Sequence, residues 1–190
     1  MIEVEVRGRL TREEFERLKG SLQQSGKHIE SHEREMLMLR DYPGYAKDPT
    51  RRDVDIRLRN TSGRCEIMMK RKVGNHRNVA REEVALGLLD HDLANARAIL
   101  RGLGFTKANR MIRKKDIYMY HDVEWSLVQA PKEYYYFEAE QTCEHENQVE
   151  RVREYLCNEA RDLGLTTFTP DAMRDFIQQL DRDVNVIVDL

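Results

Sequence analysis

Near its start the chain carries Glu3, Glu5 and Arg7, spaced two apart and alternating with Ile2, Val4 and Val6. Period-two alternation marks a strand with one apolar and one polar face, so two carboxylates and a guanidinium share one side. The same device recurs. Asp53, Asp55, Arg57 and Arg59 share a face of "DVDIRLRN"; Glu66, Met68, Lys70 and Lys72 share a face of "RCEIMMKRK". Arg81 pairs with Glu83, Arg113 with Lys115, and Glu138 with Glu140 beside Tyr136. For any one strand, a solvated outer face explains the charges. The set says more. If these faces turn inward, desolvated acids and bases must be partnered. Carboxylate oxygens suit Mg²⁺ or Mn²⁺, and Arg and Lys suit the oxygens of a polyphosphate.

The elements that would carry these faces read as follows. After strand Ile2–Arg9, "TREEFERLKGSLQQSG" is a helix capped by Thr11, with Phe15, Leu18 and Leu22 as its apolar stripe and Gly26 as its stop. "KHIESHEREMLMLRDY" reads as a long strand whose middle also suits a helix, followed by the turn-rich loop "PGYAKDPTRR". "DVDIRLRN" and "RCEIMMKRKV" form a hairpin through "NTSG", and "RNVAREEVALGL" is the next strand. A second helix, "DHDLANARAILRGLGF", is capped at Asp90 or Asp92 and ended by Gly102 or Gly104. Strands "NRMIRKKDIYMY", "DVEWSLVQA" and "EYYYFEAEQ" follow, then helices in "ENQVERVREYLCNEARDLG" and "PDAMRDFIQQLDRD". Residues 184–190, "VNVIVDL", read as an extra strand that pairs with a sheet edge or forms a homodimer. The expectation is one α+β domain over residues 1–190, its antiparallel sheet able to close into a barrel.

Bulk properties narrow the class. The 190 residues are 40% hydrophobic and 35% charged, with a net charge of −2, so no global basic field argues for a nucleic-acid binder. Three cysteines without CxxC spacing, and no signal or membrane segment, point to a reduced cytoplasmic protein. His28 and His32 read as solvated or lightly paired, and Trp125 as a core residue.

"EVEVR" resembles the E-x-E-x-K signature of the CYTH group of triphosphate tunnel metalloenzymes, which includes class IV adenylyl cyclases, thiamine triphosphatases and inorganic triphosphatases. The likeness runs from Glu3 to about Gly164, through short motifs in the right order. It implies a closed eight-stranded antiparallel β-barrel, the triphosphate tunnel, with flanking helices. It also implies metal-dependent cleavage of the terminal phosphate of a triphosphate; a cyclase making cAMP from ATP and a non-catalytic polyphosphate- or nucleotide-binding tunnel are the alternatives. On the resemblance, Glu3, Glu5, Glu83 (or Glu82 in the other register), Glu138 and Glu140 fall on metal positions. Arg57, Arg59, Lys70, Arg113 and Lys115 fall on triphosphate-binding ones. Glu3, Glu5 and Arg7 are the catalytic candidates, although an arginine cannot act as a general base. The family's aspartate near the end of "WSLVQA" is absent, with Ser126, Val128 and Gln129 there instead, and "EYYYF" replaces its usual L-G-x-F. E-x-E-x-R is also similar to the start of fungal and viral RNA 5′-triphosphatases. An RNA 5′-triphosphate end is therefore the one nucleic-acid partner expected beside a small triphosphate-containing molecule.

Overall fold

Alternating strands with one charged face and one apolar face dominate the fold, and the apolar faces decide where the helices go. The computed structural model describes residues 1–42, 45–46, 52–74 and 80–190, leaving aside the His91 side chain. Most of the expected "PGYAKDPTRR" loop and the first residues of "RNVAREEVALGL" lie outside them. Among the described residues nine strands are formed: β1 (Ile2–Leu10), β2 (Lys27–Arg40), β3 (Val54–Thr61), β4 (Arg64–Lys72), β5 (Ala80–Gly87), β6 (Lys107–Tyr120), β7 (Val123–Ala130), β8 (Tyr134–Cys143) and β9 (Val186–Asp189). Four α-helices accompany them among the described residues: α1 (Arg12–Ser25), α2 (Leu93–Gly102), α3 (Val149–Asp162) and α4 (Pro170–Asp183).

Every strand pairing is antiparallel, in the order β2-β3-β4-β5-β1-β8-β7-β6, and β6 pairs back onto β2 to close a ring of eight. Closure leaves no open edge among the eight. β2 is strand along its whole length, because its ladder with β6 runs from Lys27 to Arg40 and overrides the helical alternative for its middle. β9 pairs with Lys107–Arg110 of β6, so the tail strand is used within its own chain.

Three helices cover outer faces. α1 is held by a capping box between Thr11 and Glu14, and its Phe15, Leu18 and Leu22 join Val4, Val6 and Leu10 in the largest core. α3 adds Val149, Leu156 and Ala160 to that core, with Trp125 and Phe137. α2, capped by Asp92, covers Leu37, Leu39 and Leu58 with Ala96 and Leu100, and Leu190 joins them. The chain turns after α2 at Gly104, whose φ of +95° suits glycine.

α4 behaves differently. Its Phe176 and Leu180 pack on Val128, Ala130 and Tyr136, the faces of β7 and β8 that also carry Ser126 and Glu138. It therefore sits against the inner face of the ring and forms part of the wall of the interior. The segment leading to it is tied to β1 by Phe168 N–H donating to the Arg7 carbonyl at 2.7 Å. Gly8 permits that approach: a Cβ there would lie 2.1 Å from the Thr166 carbonyl oxygen.

Candidate active site

The ring encloses a cavity of about 310 Å³, at the small end of ligand pockets (~300–1,000 Å³). All eleven residues singled out in the sequence line it: Glu3, Glu5, Arg7, Arg57, Arg59, Lys70, Glu83, Arg113, Lys115, Glu138 and Glu140. Strand parity brings them together, because each strand's apolar positions face the helices and every second residue then faces the lumen. The choice between Glu82 and Glu83 is resolved by that parity. Glu83 faces the lumen, whereas Glu82 is on the outside, ion-paired to Arg71.

The charges neutralise one another in chains. Lys70 Nζ lies 2.7 Å from a carboxylate oxygen of Glu3 and 2.7 Å from one of Glu83. Arg59 reaches Glu66 at 2.7 Å and Glu83 at 3.4 Å. Asp55 gathers three arginines, Arg57 at 3.1 Å, Arg52 at 3.2 Å and Arg81 at 3.3 Å. Arg7 bridges Glu5 and Glu138, and Lys115 closes on Glu138 as well. Burial opposes the charge on Arg7, but Glu5 and Glu138 outweigh it and hold the guanidinium charged more firmly than usual. Arg7 is thus a fixed cation. Arg113 is buried, donating to Asn185 Oδ1 at 2.9 Å and to the Tyr136 hydroxyl at 3.3 Å.

Two regions of the lumen are out of balance. Burial, then the negative charges of Glu5 and Glu3, push the Glu140 carboxyl up to about 8. Among the described residues no basic side chain is within ion-pair distance of Glu140, and Glu124 of β7 stands directly across the ladder from it. On the basic side, burial and the neighbouring Arg59 lower the Arg34 pKa, and its Nε donates to Thr61 Oγ1 at 3.0 Å. Burial, against Asp55 and with Arg57, does the same to Arg81. An acid-rich corner and an arginine-rich wall therefore share one small chamber.

Arg34, Asp55, Arg81 and Glu124 line the cavity but were not singled out as site residues. Asp55 and Arg81 share faces with chosen residues, so the alternation alone could have found them. Arg34 was hidden by the helical alternative for β2. Glu124 lines the cavity from the start of β7, while Ser126, Val128 and Gln129 leave the end of that strand without an acid. His32 departs from the solvated half of its reading, with Glu30 at 3.0 Å as its light pairing. It is buried, sits on the β2 face that carries Arg34, and lies opposite Lys115. Burial and those two cations lower its pKa against the pull of Glu30. His28 is exposed and bonded to Ser31.

Crowded hard-oxygen donors with too little cationic charge fit a divalent cation. The fit concerns donor chemistry and not a preformed cage: among the described residues, no three acidic, imidazole or thiol side chains converge as ligands. Glu3, Glu83, Glu5 and Glu138 are instead drawn towards Lys70, Arg7 and Lys115.

A closed antiparallel ring with a polyionic interior defines a class of tunnel proteins, and the comparisons with known proteins agree. The CYTH domain model matches residues 1–172. The chain belongs to the CYTH domain family. Among solved structures, the PH1819 protein of Pyrococcus horikoshii OT3 is similar at 17% identity and a TM-score of 0.76, covering 93% of this chain and 98% of its own. A candidate adenylate cyclase from Vibrio parahaemolyticus is similar at 16% identity and a TM-score of 0.71, with 94% and 98% covered. HpAC1 from Hippeastrum, described as having a dominant triphosphatase activity, is similar at 16% identity and a TM-score of 0.57, with 92% and 95% covered. At these identities the likeness establishes the shared fold. No curated protein sequence matches the chain. No helix among the described residues is long and apolar enough to cross a membrane.

Proposed function

We propose that the protein is a divalent-metal-dependent hydrolase that removes the terminal phosphate of a triphosphate inside the ring. One observation carries the reading: an acid corner short of cations and a wall rich in arginine occupy the same 310 Å³ chamber. A triphosphate with its metal complements both at once.

The residues divide the work by charge. Arg57, Arg59, Lys70, Arg113 and Lys115, with Arg34 and Arg81, would hold the phosphate chain and neutralise charge on the departing diphosphate. Arginine suits this because its planar fork matches phosphate oxygens and stays charged. Glu3, Glu5, Glu83, Glu138, Glu140 and Glu124 would hold Mg²⁺ or Mn²⁺. The bound cation supplies Lewis-acid polarisation of phosphate oxygens. Arg7, pinned by Glu5 and Glu138, is an electrostatic group and not a base. Phosphoryl transfer asks for positioning and charge stabilisation more than covalent chemistry, which a rigid closed ring can provide.

The test is ³¹P NMR of the protein with tripolyphosphate, ATP and thiamine triphosphate, each with Mg²⁺ or Mn²⁺ and with an EDTA control. Metal-dependent release of orthophosphate supports the proposal. Pyrophosphate with a cyclic monophosphate from ATP would make the protein a cyclase. Spectra that shift on binding but never yield product would leave a binding tunnel.

A further inference from the structure

Every strand of the closed ring has a neighbour on each side, but not along its whole length. β5 meets β1 only through Ala80, Arg81 and Glu82, which stand opposite Val4, Glu3 and Ile2. From Glu83 to Gly87, among the described residues, it pairs with β4 alone. The outer face of this same stretch is apolar. Val84 stands opposite Met69, and Leu86 opposite Ile67. Ile67 packs against the cluster under α2, but Met69, Val84 and Leu86 are 36%, 60% and 66% exposed, and Leu89, just past the strand, is 87% exposed. Elsewhere helices cover the ring: α1 and α3 lie over β1, β7 and β8, and α2 over β2 and β3.

An unpaired strand edge invites pairing with another chain, and proteins guard against it with Lys, Pro, a bulge or a covering element. "VALGL", residues Val84–Leu88, contains neither Lys nor Pro, and its ladder with β4 runs without a register shift. The edge offers main-chain N–H and C=O groups, and the face beside it offers apolar contact. An added strand uses both. The stretch is also complementary to itself. Antiparallel pairing centred on Ala85 sets Val84 against Leu86 of a second copy, and Leu86 against its Val84, on the outer face. Glu83 then falls opposite Gly87 and Glu82 opposite Leu88, so no two like charges are opposed. The exposed ion pair of Arg71 with Glu82 lies at the margin and supplies the polar rim that interfaces carry around an apolar centre. The tail strand β9 is already used on β6.

We propose that the protein forms a two-fold homodimer in which residues Glu83–Gly87 of β5 pair antiparallel with the same residues of a second copy. Met69, Val84, Leu86 and Leu89 of both copies form its apolar centre. A two-fold pairing uses the same patch on each copy and leaves no edge for a third, so assembly stops at two. The interface is independent of the reaction assigned to the lumen.

The experiment is sedimentation velocity at micromolar concentrations on the wild type, Val84→Lys, Leu86→Lys and, as a control on the exposed face of β9, Val186→Lys. The wild type should sediment as two 22.5 kDa chains. Val84→Lys and Leu86→Lys should each raise the dimer dissociation constant about a hundredfold or more, because two-fold symmetry counts every lost apolar contact twice. Val186→Lys should leave the dimer intact. Both test positions are exposed, and if one variant fails to fold the other carries the test. Hydrogen exchange adds a backbone readout: amides within residues 83–87 should gain protection as the wild type dimerises and lose it in Leu86→Lys. A monomeric wild type, or an open-ended assembly larger than two, would overturn the proposal. So would a dimer that survives the lysines, breaks with Val186→Lys, or forms without protecting residues 83–87.

Discussion

Glu138 and Glu140 are the same side chain, two residues apart on one strand, facing one cavity, yet their carboxyls are driven in opposite directions. Burial disfavours the charge on both. At Glu138 the cations of Lys115 and Arg7 outweigh burial and hold the carboxyl well below the usual range. At Glu140 the neighbours are acids, and the carboxyl rises to about 8. The difference teaches that one lumen holds two kinds of acid. Glu138 is a counter-ion that keeps two cations in place, and Glu140 belongs to a corner that lacks a cation of its own.

Breaking the paired acid should have the largest effect on stability. Glu138→Gln leaves Lys115 and Arg7 facing each other without their shared partner. Loss of one member of a buried pair costs ~3–5 kcal/mol, so thermal unfolding should move down by at least about 6 °C. Glu140→Gln should do the reverse in metal-free buffer at pH 8, leaving the melting temperature unchanged or higher. The same variant should lose most of the stabilisation that Mg²⁺ or Mn²⁺ gives the wild type, and turnover should fall by about 10²–10³-fold. A Glu140→Gln protein that melts lower without metal, and responds to metal as the wild type does, would erase the distinction.

Acidity sharpens the comparison. The folded protein keeps the Glu140 proton to higher pH than the unfolded chain, whose carboxyl has an ordinary pKa of 4.5. Unfolding therefore releases a proton between about pH 4.5 and 8, and stability should fall as pH rises through that window. Glu138 acts on the other side. Below about pH 4.5 the unfolded chain takes up a proton that folded Glu138 refuses, so stability falls again. Melting temperatures should peak near pH 5 without metal, and Glu140→Gln should flatten the alkaline limb.

The smallest effects test inside against outside. Glu83→Gln removes one of the two acids on Lys70 and should slow turnover by about tenfold, ~1.4 kcal/mol of barrier. Glu82→Gln, one residue away, breaks only the exposed pair with Arg71 and should leave the melting temperature and activity unchanged.

Much of this was legible in the sequence because period two is a strong code. Once Ile2, Val4 and Val6 are assigned to a core, Glu3, Glu5 and Arg7 must lie together on the other face. The same logic carried Arg57, Lys70 and Glu138. What escaped depended on contacts between distant segments. Strand β2 was ambiguous because helical spacing also suits "HEREMLML", and only its ladder with β6 decides the matter. With β2 unsettled, Arg34 and the burial of His32 were invisible. Glu124 escaped because the motif looks for its acid near the end of β7, where Ser126, Val128 and Gln129 stand, and says nothing of the strand's start. The inward seat of α4 escaped because an amphipathic helix announces that it packs, and not on which side of a sheet.

The pairing of β1 has a consequence for how the chain acquires its shape. Its ladder partners are residues 80–82 and 135–143. The strand bearing Glu3 and Glu5 therefore waits for almost the whole ring before its second neighbour exists. At ~5–20 residues per second, a ribosome takes about ten seconds to deliver β8 after β1. Until residues 80–82 emerge Ile2, Val4 and Val6 have no ladder partner on either side, and Val6 has none before residues 135–143. Such long sequence separations also place the folding rate at the slow end for domains of this size. The site is begun first in the sequence and completed last in time.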